Sequence, residues 1–342
     1  MRVLVAMSGG VDSSVAAALL REEGHQVVGA TMKLWGGAAD SGCCSVADVE
    51  DARRVAQQLG VAHHVFNFTD DFDAHVVGPY AAAHAAGLTP NPCVECNRHL
   101  KFDRFLRRAS QLGFDAVATG HHARVRRAGD RRELWRGADP GKDQSYVLSM
   151  LGQAQLARVL LPVGDLTKAQ VREHAAALGL RTAAKPDSQD VCFITSTGGR
   201  PAFLADRVSL RPGRVVDAAT GQQVGTVPAV QLVTVGQRRG MGAAAGVRRY
   251  ALSVDVAAAT VVVGGEEDLL VDAVGVGQVT WVDEPVPPGS GVLVQTSAHG
   301  RAEPAVFEGR SLRYARRQRR VAPGQTVALY EGDRVLGAGV AA

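Results

Sequence analysis

The sequence predicts an α/β fold in its first part and a β-rich fold in its second part. Up to about residue 209, short apolar strands alternate with helices, a pattern that favours a parallel sheet covered on both faces. Beyond Leu210, valines alternate with turns rich in glycine and proline, and no long helical period appears. This change predicts one domain boundary near Leu210, a second near Leu270, and hairpins of a small barrel or sandwich at the end of the chain.

The elements of the first part follow from apolar periodicity and from residues typical of helix ends. Gly24 and Gly60 stand where helices end, and Ser45 and Thr167 stand where helices begin, each with a capping partner three residues later. The predicted elements are strand 2–7, helix 13–24, strand 25–32, helix 45–60, strand 61–68, strand 114–120 and helix 167–179. Because ligands of such sheets bind at the carboxyl ends of the strands, we expect a site in the loops that follow them.

Composition excludes several classes of protein. The 38 basic and 34 acidic residues nearly balance, so the net charge of the chain does not by itself indicate a polyanionic partner. Five cysteines are few and odd in number, which argues against a secreted disulfide scaffold. The apolar run at the N-terminus is too short for a signal peptide or a membrane span. We expect a soluble cytoplasmic protein that makes no membrane contact.

Lysine is rare in this chain. Of the 38 basic residues, only Lys33, Lys101, Lys142, Lys168 and Lys185 are lysine. A lysine kept in an arginine-rich chain indicates a position where a compact ammonium on a flexible stem is needed.

The stretch SGGVDSS (residues 8–14) follows the first strand and opens the first helix. Gly9 and Gly10 let the backbone approach an anion closely, the three serine hydroxyls offer donors, and a helix N-terminus carries partial positive charge. It is neither a Walker loop, because no Gly-Lys-Ser/Thr follows, nor a dinucleotide fingerprint, because G-x-G-x-x-G is missing. We interpret it as a phosphate site with Asp12 as a magnesium ligand. An ordinary strand–helix turn rich in small residues is the alternative.

The loop resembles the signature of the ATP pyrophosphatases, which cleave ATP to AMP and pyrophosphate and place the adenylyl group on an acyl or amide oxygen. Other motifs are similar to those of one family within that superfamily, the bacterial tRNA-specific 2-thiouridylases. They are GLTPNPCVECNRHLKF (87–102), ATGHHARV (118–125), GKDQSYVLSML (141–151), KPDSQDVCFI (185–194), TVGQRRGMG (234–242) and LRYARRQ (312–318). The resemblance covers nearly the whole chain.

This resemblance implies an ATP-pyrophosphatase (adenine nucleotide hydrolase-like) catalytic domain at 1–209, a small central domain at 210–269 and a C-terminal, tRNA-binding β-barrel at 270–342. The implied activity is thiolation of the wobble uridine of tRNA. ATP adenylates the C2 oxygen, a cysteine persulfide supplies the sulfur, and AMP and pyrophosphate are released. ATP, Mg²⁺, tRNA and a sulfur-donor protein, either a cysteine desulfurase or a persulfide relay, are the implied cofactors and partners.

Site residues carry over only where this sequence matches the family motifs. The positions implied to bind ATP are Ala6, Met7, Ser8, Gly9, Gly10, Val11, Asp12, Ser13, Met32 and Gly120. The positions implied to contact tRNA are Asn91, Pro92, Cys93, His121, Lys142, Asp143, Gln144, Arg313, Tyr314 and Gln325. For Gly120 and His121 a purely structural role is the alternative.

Cys93 and Cys96 stand at a C-x-x-C spacing, which suits a zinc site, a disulfide switch, a pair of iron–sulfur ligands or a nucleophile with a neighbour. Thiolation benefits from two cysteines, because one carries the sulfur as a persulfide and the other releases it by disulfide exchange. By the resemblance, Cys192 is the persulfide carrier and Cys96 the partner thiol, and the two form a disulfide after each turnover. The alternative for Cys192 is a small, buried apolar residue.

The chain departs from the family at Cys93, where better-known members carry an aspartate assigned to base contact and proton transfer. A cysteine is mostly protonated at neutral pH and is less polar, so the acid–base role does not carry over to this position. Cys93 is then either a bystander in the base pocket or, with Cys96 and Cys192, a ligand of an iron–sulfur cluster with one open site. We favour the persulfide route, because no feature of the sequence requires a cluster.

Two other groups of residues have weaker interpretations. Zinc at the C-x-x-C pair is disfavoured because further ligands at zinc-finger spacing are absent from the sequence. Cys43 and Cys44 are interpreted as structural or incidental, since adjacent cysteines are awkward for a disulfide. The arginines of residues 313–320, with Tyr314 among them, indicate an RNA-backbone surface, although a charge run is more often a solvated face.

Two other functions compete with this interpretation. One is a different ATP pyrophosphatase, such as another thionucleoside synthase or an amide-forming ligase. The other is an RNA-binding module that holds zinc or a cluster and catalyses nothing. ATP–pyrophosphate exchange measured in the presence of tRNA separates the enzymes from the binding module.

Overall fold

The computed structural model describes residues 1–35, 45–187, 191–194, 198–241 and 248–342. Cys43 and Cys44, predicted to be structural or incidental, lie outside these ranges. The strands, in chain order, are β1 (Arg2–Ala6), β2 (Gln26–Lys33), β3 (His63–Asn67), β4 (Ala116–Ala118), β5 (Ala123–Ala128), β6 (Arg131–Arg136), β7 (Val159–Leu160), β8 (Gly213–Asp217), β9 (Gln223–Val227), β10 (Tyr250–Asp255), β11 (Thr260–Gly264), β12 (Leu270–Trp281), β13 (Gly291–Gln295), β14 (Glu303–Phe307), β15 (Ser311–Arg319), β16 (Thr326–Glu331) and β17 (Arg334–Ala341).

The helices form mainly in the first part of the chain. They are α1 (Val11–Glu22), α2 (Val46–Gln58), α3 (Thr69–Phe72), α4 (Gly78–Ala85), α5 (Pro92–Glu95), α6 (Phe105–Gln111), α7 (Gln153–Leu156), α8 (Lys168–Ala177) and α9 (Gly199–Ala205). A π-helical stretch, Asp73–Val77, joins α3 to α4, and a second, Cys96–Arg104, joins α5 to α6. Short 3₁₀ turns occupy Ser145–Leu148, Val230–Leu232 and Glu267–Leu269.

The predicted helix ends are confirmed where their caps can be read from the sequence. The Ser45 hydroxyl accepts the backbone N–H of Asp48 at the start of α2, and Thr167 with Gln170 forms a reciprocal capping box at the start of α8. Gly24 and Gly60 follow α1 and α2 with φ of 82° and 66°, a conformation that costs glycine little.

A parallel sheet forms the centre of the first part, as predicted. Within the described residues its strand order is β3-β2-β1-β4-β7, and every neighbouring pair is parallel. The order reverses direction at β1, so the loops after β1 and β4 flank the point where such sheets bind ligands. Apolar side chains from β1 and α1, among them Val5, Val15 and Leu20, are buried on one face of the sheet with Val55 of α2.

Beyond Leu210 the described elements are strands and short 3₁₀ turns, as the change of pattern at that residue predicts. Strands β8 to β11 form a small sheet in the order β10-β11-β8-β9. Strands β12 to β17 form a closed barrel in the order β12-β15-β14-β13-β16-β17, because β12 also pairs with β17. Closure removes the exposed sheet edges that would otherwise invite aggregation. The predicted fold class is therefore confirmed.

The hairpin β5–β6 was not predicted from the sequence. The hairpin begins directly after residues 121–122 and extends the sheet of the barrel. Its strand β6 pairs with β17, with Leu134 opposite Val335 and Trp135 opposite Arg334. The Arg136 guanidinium also lies 3.9 Å from the ring centroid of Tyr330 in β16. The hairpin thus joins the barrel to the domain that contains the parallel sheet. In the described ranges, no helix is both long enough and apolar enough to cross a membrane.

Candidate active site

The 8–14 loop is shaped by its glycines and serines. Gly9 has a φ of 73°, and a Cβ atom there would lie 2.2 Å from the backbone oxygen of Asp48, so the loop tolerates no side chain at this position. The hydroxyls of Ser13 and Ser14 donate to the Gly10 carbonyl at 3.1 and 2.8 Å. These two hydroxyls therefore brace the turn, and Ser8, which is exposed, is the serine whose side chain is open to a ligand.

The loop after β4 packs directly against the loop after β1. A Cβ atom on Gly120 would lie 2.5 Å from the Ser13 nitrogen and 2.6 Å from the Asp12 carbonyl carbon, distances that no side chain allows. The structure thus brings Gly120 together with Asp12 and Ser13, although more than a hundred residues separate them. This contact lies at the predicted ligand-binding edge of the sheet.

Asp12 is held by two basic side chains. The Lys168 Nζ donates to its two carboxylate oxygens at 2.7 and 2.8 Å, and the His122 Nε2 lies 3.1 Å from Oδ1. Burial opposes ionisation, but the hydrogen bonds from His122 and Lys168 outweigh it and hold the pKa of Asp12 below its usual value. Asp12 is therefore a carboxylate at neutral pH. Neither Lys168 nor His122 was selected from the sequence.

A magnesium ion does not fit Asp12 in this arrangement. Both carboxylate oxygens already accept from an ammonium, which a metal ion would have to displace. Across the part of the chain that the structure describes, no three His, Cys, Asp or Glu side chains form a group that could hold a metal ion. Cys93, Cys96 and Cys192 likewise do not form such a group, so an iron–sulfur cluster on these thiols would require them to move.

Asp187 connects the 8–14 loop to the segment that is predicted to contact RNA. Its Oδ1 lies 2.8 Å from the Lys168 Nζ and 3.0 Å from an Arg172 nitrogen, while its Oδ2 accepts from the Lys142 Nζ at 2.8 Å. Burial raises the pKa of Asp187, but hydrogen bonds from Lys142 and Lys168 lower it to about 2. An ion-pair chain therefore runs from Asp12 through Lys168 and Asp187 to Lys142.

A second route joins the same two regions. The Gln144 side chain accepts from the His122 backbone N–H at 2.9 Å, and the Gln144 backbone N–H donates to the His122 carbonyl at 2.9 Å. The His122 ring also contacts Asp12. His122 is therefore a partner shared by the 142–146 segment and the 8–14 loop. The one signal for His122 in the sequence is its place just after the predicted strand 114–120.

Asp143 and His121 point away from solvent. The Asp143 side chain is 7% exposed and accepts four hydrogen bonds, from the backbone of Gly137, from Arg136, and from both the backbone and the hydroxyl of Ser145. His121 is buried, its Nδ1 lies 2.7 Å from the Thr119 hydroxyl, and burial lowers its pKa well below the usual histidine value. Both residues support neighbouring segments, and neither offers its side chain to a surface ligand in this conformation.

The NPCVECN stretch begins a helix. The Asn91 Oδ1 accepts from the backbone N–H of Cys93 at 3.1 Å and of Val94 at 3.4 Å, and Pro92 occupies the first turn, where its missing N–H costs nothing. This cap fixes Cys93 on the exposed side and Cys96, which is 8% exposed, on the inner side.

Cys96 and Cys192 contact the same apolar cluster. Cys96 is a member of the main core, and Cys192, which is half-buried, packs against that core. The neighbouring Phe193 anchors the Cys192 segment, with its ring 5.0 Å from Phe203 and 5.5 Å from Tyr80. The half-buried position of Cys192 does not match a fully buried apolar residue.

The predicted tRNA contacts fall into two groups. The loop before β16 packs on the segment before Asn91, because the Thr89 N–H donates to the Pro323 carbonyl at 2.8 Å, and Gln325 lies in that loop. The Tyr146 hydroxyl donates to the Thr326 carbonyl at 2.9 Å, which adds the 142–146 segment to the same group. Arg313 and Tyr314 lie on β15, three strands from β16 in the closed barrel and so on its opposite side.

The arginines of β15 are engaged on the barrel surface. Arg313 is exposed and pairs with Glu308 at 2.7 Å, and Arg317 donates to the Leu270 carbonyl at 2.6 Å. Tyr314 is buried in the barrel core, and burial raises its pKa to about 12. The tyrosine therefore stabilises the barrel, while the exposed arginines present positive charge.

Three family models match consecutive parts of the chain. They are described as a tRNA methyl transferase HUP domain at residues 1–196, a tRNA methyl transferase PRC-barrel domain at 201–265 and an aminomethyltransferase beta-barrel domain at 271–341. The names of these models refer to methyl transfer, whereas the full-length relatives have a different name.

The relatives align over almost the entire chain. A protein of Chloroflexus aggregans named tRNA-specific 2-thiouridylase MnmA is 48% identical and covers 98% of this chain and 97% of its own length. Proteins of the same name from Roseiflexus sp. and Mycobacteroides abscessus are 44% and 47% identical, cover 99% of this chain, and align over 98% and 99% of their own lengths. These relatives span all three matched parts, whereas each family model covers only one. The chain belongs to the tRNA-specific 2-thiouridylase family.

Proposed function

We propose that the chain is an ATP-dependent tRNA-uridine 2-sulfurtransferase that converts the wobble uridine of tRNA to 2-thiouridine. ATP adenylates the C2 oxygen of the base with release of pyrophosphate, and sulfur from a cysteine persulfide then replaces that oxygen with release of AMP. Adenylation is needed because the C2 carbonyl is a poor electrophile and its oxygen a poor leaving group.

One observation carries this proposal. The segment that holds Lys142 and Gln144 is joined to Asp12 of the 8–14 loop by two routes. One runs through His122, and the other runs through Asp187 and Lys168. An enzyme that adenylates RNA must hold a nucleotide phosphate and an RNA base within one site. A binding module without ATP chemistry has no need for this connection.

ATP binds, in this proposal, in the loops after β1, β2 and β4. The proposed contacts are Ala6, Met7, Ser8, Gly9, Gly10, Val11, Asp12, Ser13, Met32 and Gly120. Support comes from the glycine-lined contact between the two loops after β1 and β4. Mg²⁺ would accompany ATP and offset part of its phosphate charge. We assign it no protein ligand, since the Asp12 carboxylate accepts hydrogen bonds from Lys168.

Sulfur transfer uses two thiols in sequence. The terminal sulfur of a Cys192 persulfide attacks C2, the C2–O bond breaks, and AMP leaves with the electron pair of that bond. The Cys96 thiolate then attacks the Cys192 Sγ, which forms a Cys96–Cys192 disulfide and releases the new sulfur on the base as a thiolate. An external thiol reduces the disulfide before the next turnover. The shared apolar cluster of the two cysteines supports this assignment.

The tRNA, in this proposal, contacts both groups of residues described above. Asn91, Pro92 and Cys93 face the base, Lys142, Gln144 and Gln325 surround it, and Arg313 binds the RNA backbone on the barrel. We propose that His121, Asp143 and Tyr314 act from beneath this surface by fixing the segments that make the contacts. Their burial supports this change from the direct contacts that the sequence predicts.

The remaining assignments are proposals of the same kind. We propose a division into 1–209, 210–269 and 270–342, which the start of the small sheet at Gly213 and of the barrel at Leu270 supports. The sulfur donor is a cysteine desulfurase or a persulfide relay protein. A cytoplasmic location follows from the need to keep the reacting thiols reduced. An iron–sulfur cluster is the alternative that we do not favour.

Nucleoside analysis in cells tests the proposal. Total tRNA from cells that lack this protein should contain no 2-thiouridine derivatives, while other modified nucleosides should be unchanged. Restoration by the wild-type gene, and not by a Cys192→Ser gene, would tie the loss to sulfur transfer by this chain. Normal levels of 2-thiouridine in the deleted cells would overturn the proposed function.

A further inference from the structure

Cys93 and Cys96 lie one helical turn apart. The chain is helical from Pro92 to Cys96, where φ is −59° and ψ is −45°. A step of three residues along a helix separates two Cα atoms by about 5 Å. Disulfides form between Cα atoms that are about 4.4 to 6.8 Å apart, so a small adjustment of this turn is enough to join the two thiols.

The cysteines of the site differ in their exposure to solvent. Cys93 is exposed, Cys96 is 8% exposed and Cys192 is half-buried. Cys96 and Cys192 both contact the main apolar cluster, where the ring of Phe193 lies 5.0 Å from that of Phe203. Thiol–disulfide exchange requires access to the sulfur under attack. A disulfide between Cys96 and Cys192 is therefore poorly placed for an external thiol, whereas Cys93 is well placed.

The backbone of Cys93 is held in position by its neighbours. The Asn91 side chain accepts the Cys93 N–H at 3.1 Å, and Pro92 fixes the first turn. Better-known members of the family carry an aspartate at this position, and a carboxylate cannot take part in disulfide exchange. This chain therefore adds a redox-active group on a fixed turn, three residues before Cys96.

We propose that Cys93 is the resolving thiol of the sulfur-transfer cycle, the thiol that accepts the disulfide formed between Cys96 and Cys192. The inference rests on the proposed function, which supplies that disulfide. The Cys93 thiol gives its proton to solvent, and the thiolate attacks the Cys96 Sγ. The Cys96–Cys192 bond breaks, a Cys93–Cys96 bond forms, and Cys192 leaves with the electron pair as a thiolate. This step exchanges one disulfide for another, so it consumes no reductant.

The external thiol of the proposed function then reduces the new disulfide from the exposed side. It attacks the Cys93 Sγ, and a second external thiol completes the two-electron reduction, which returns Cys93 and Cys96 as thiols. Cys192 is already a thiolate and can accept the next sulfur, and the reductant needs no access to the apolar cluster. Because Cys93 also faces the base in the proposed function, reduction follows release of the modified tRNA.

Mapping of the disulfide after a single turnover tests the inference. The full-length chain is loaded with a persulfide on Cys192, freed of sulfur donor and reductant, and mixed with ATP, Mg²⁺ and unmodified tRNA. Alkylation by N-ethylmaleimide stops exchange, and mass spectrometry identifies the tryptic peptides. Cys93 and Cys96 share the peptide that ends at Arg98, and Cys192 lies in another, so the two possible disulfides are distinguishable. The wild type should contain a Cys93–Cys96 disulfide and an alkylated Cys192.

Variants of Cys93 supply the comparison. For each 2-thiouridine that Cys93→Ser or Cys93→Asp forms, Cys96 should stay joined to Cys192. The matched control is Cys43→Ser, which changes a cysteine outside the scheme and should give the wild-type map. The wild-type map decides the question even where a Cys93 variant fails to fold.

The outcomes separate this inference from the proposed function. A wild type that forms 2-thiouridine and keeps the Cys96–Cys192 disulfide, with Cys93 alkylated, would overturn the inference and leave the proposed function intact. Formation of 2-thiouridine with all three cysteines alkylated would overturn the two-thiol scheme on which both depend. Absence of 2-thiouridine from the wild-type reaction would overturn the proposed function itself.

Discussion

The Lys168 amine lies 2.7 and 2.8 Å from the two carboxylate oxygens of Asp12, although 156 residues separate them in the chain. This ion pair joins the start of α8 to the loop after β1, and His122 joins the same carboxylate to the 142–146 segment. Asp12 is thus the point where the proposed nucleotide and RNA regions meet.

Replacing Asp12 by alanine should abolish adenylation and leave tRNA binding largely intact. The variant loses the group that fixes Lys168, and loss of a preorganised electrostatic group costs about a hundredfold or more in rate. ATP–pyrophosphate exchange in the presence of tRNA measures the first effect, and filter binding of tRNA measures the second. Normal ATP consumption by this variant would contradict the assignment of the loop.

Replacing Cys192 by serine should abolish thiolation while adenylated tRNA still forms, because a hydroxyl cannot carry a transferable sulfur. Replacing Cys96 by serine should also block turnover. The Cys192 persulfide still forms and attacks C2, so the tRNA should remain joined to Cys192 through a disulfide. Mass spectrometry of the intact protein and of the tRNA distinguishes the two blocks. Thiolation at the wild-type rate by either variant would show that the two-cysteine scheme is wrong.

The arginines of β15 should set part of the salt dependence of tRNA binding. Replacing Arg313, Arg316 and Arg317 together by alanine should weaken binding and flatten the plot of log affinity against log salt by about one unit for each lost phosphate contact. A control removes three exposed arginines from the helices of the first domain, namely Arg21, Arg53 and Arg107. An equal change of slope in the control would mean that β15 contributes only net charge.

Stability should depend on pH through His84. This ring is 3% exposed, and burial, with a smaller contribution from Arg200, lowers its pKa to about 4. The unfolded chain binds that proton near the ordinary value of about 6.5. Because the folded state binds it more weakly, the stability contributed by neutral His84 is complete above pH 6.5 and is lost as the pH falls towards 4.

A variant isolates this effect. His84→Gln keeps a polar side chain and removes the titration, so its free energy of unfolding should fall less steeply between pH 6.5 and pH 4 than that of the wild type. The difference should reach roughly 3 kcal/mol at the acid end. Urea unfolding at several pH values measures it. Parallel pH profiles for the two proteins would show that His84 is not held neutral in the folded state.

Local signals in the sequence predicted most of the first domain. The caps at Ser45 and Thr167, and the glycines at 24 and 60, act within one helical turn, so a single sequence carries their full information. The hairpin β5–β6 was missed because arginines dominate its sequence and its stabilising partner, β17, lies about two hundred residues further along the chain. Pairing over such a distance leaves no periodicity to detect.

In the site, too, local signals could be predicted from the sequence and contacts between distant parts of the chain could not. Motif resemblance assigned Asp12 and Gly120 to ATP and Gln144 to tRNA. The structure brings Gly120 against Asp12, and His122 joins Gln144 to Asp12. Lys168 and Asp187 were not selected, since a lysine at a helix start and an aspartate in a polar loop look like ordinary surface residues. Only the fold turns them into an ion-pair chain. Burial of Tyr314 likewise depends on the closed barrel, which no local pattern reveals. The partners of the Asp143 carboxylate, in contrast, all lie within seven residues of it.

Reconstitution with purified components tests the central claim most directly. Iron-free wild-type protein, verified by metal analysis, is incubated with an unmodified tRNA transcript, ATP, Mg²⁺ and a persulfide donor, and the nucleosides are identified by mass spectrometry. The account predicts 2-thiouridine at the wobble position, one AMP and one pyrophosphate for each base modified, and no product when ATP is omitted. Absence of 2-thiouridine from the iron-free protein, with product appearing only after a cluster is rebuilt on Cys93, Cys96 and Cys192, would contradict the persulfide mechanism.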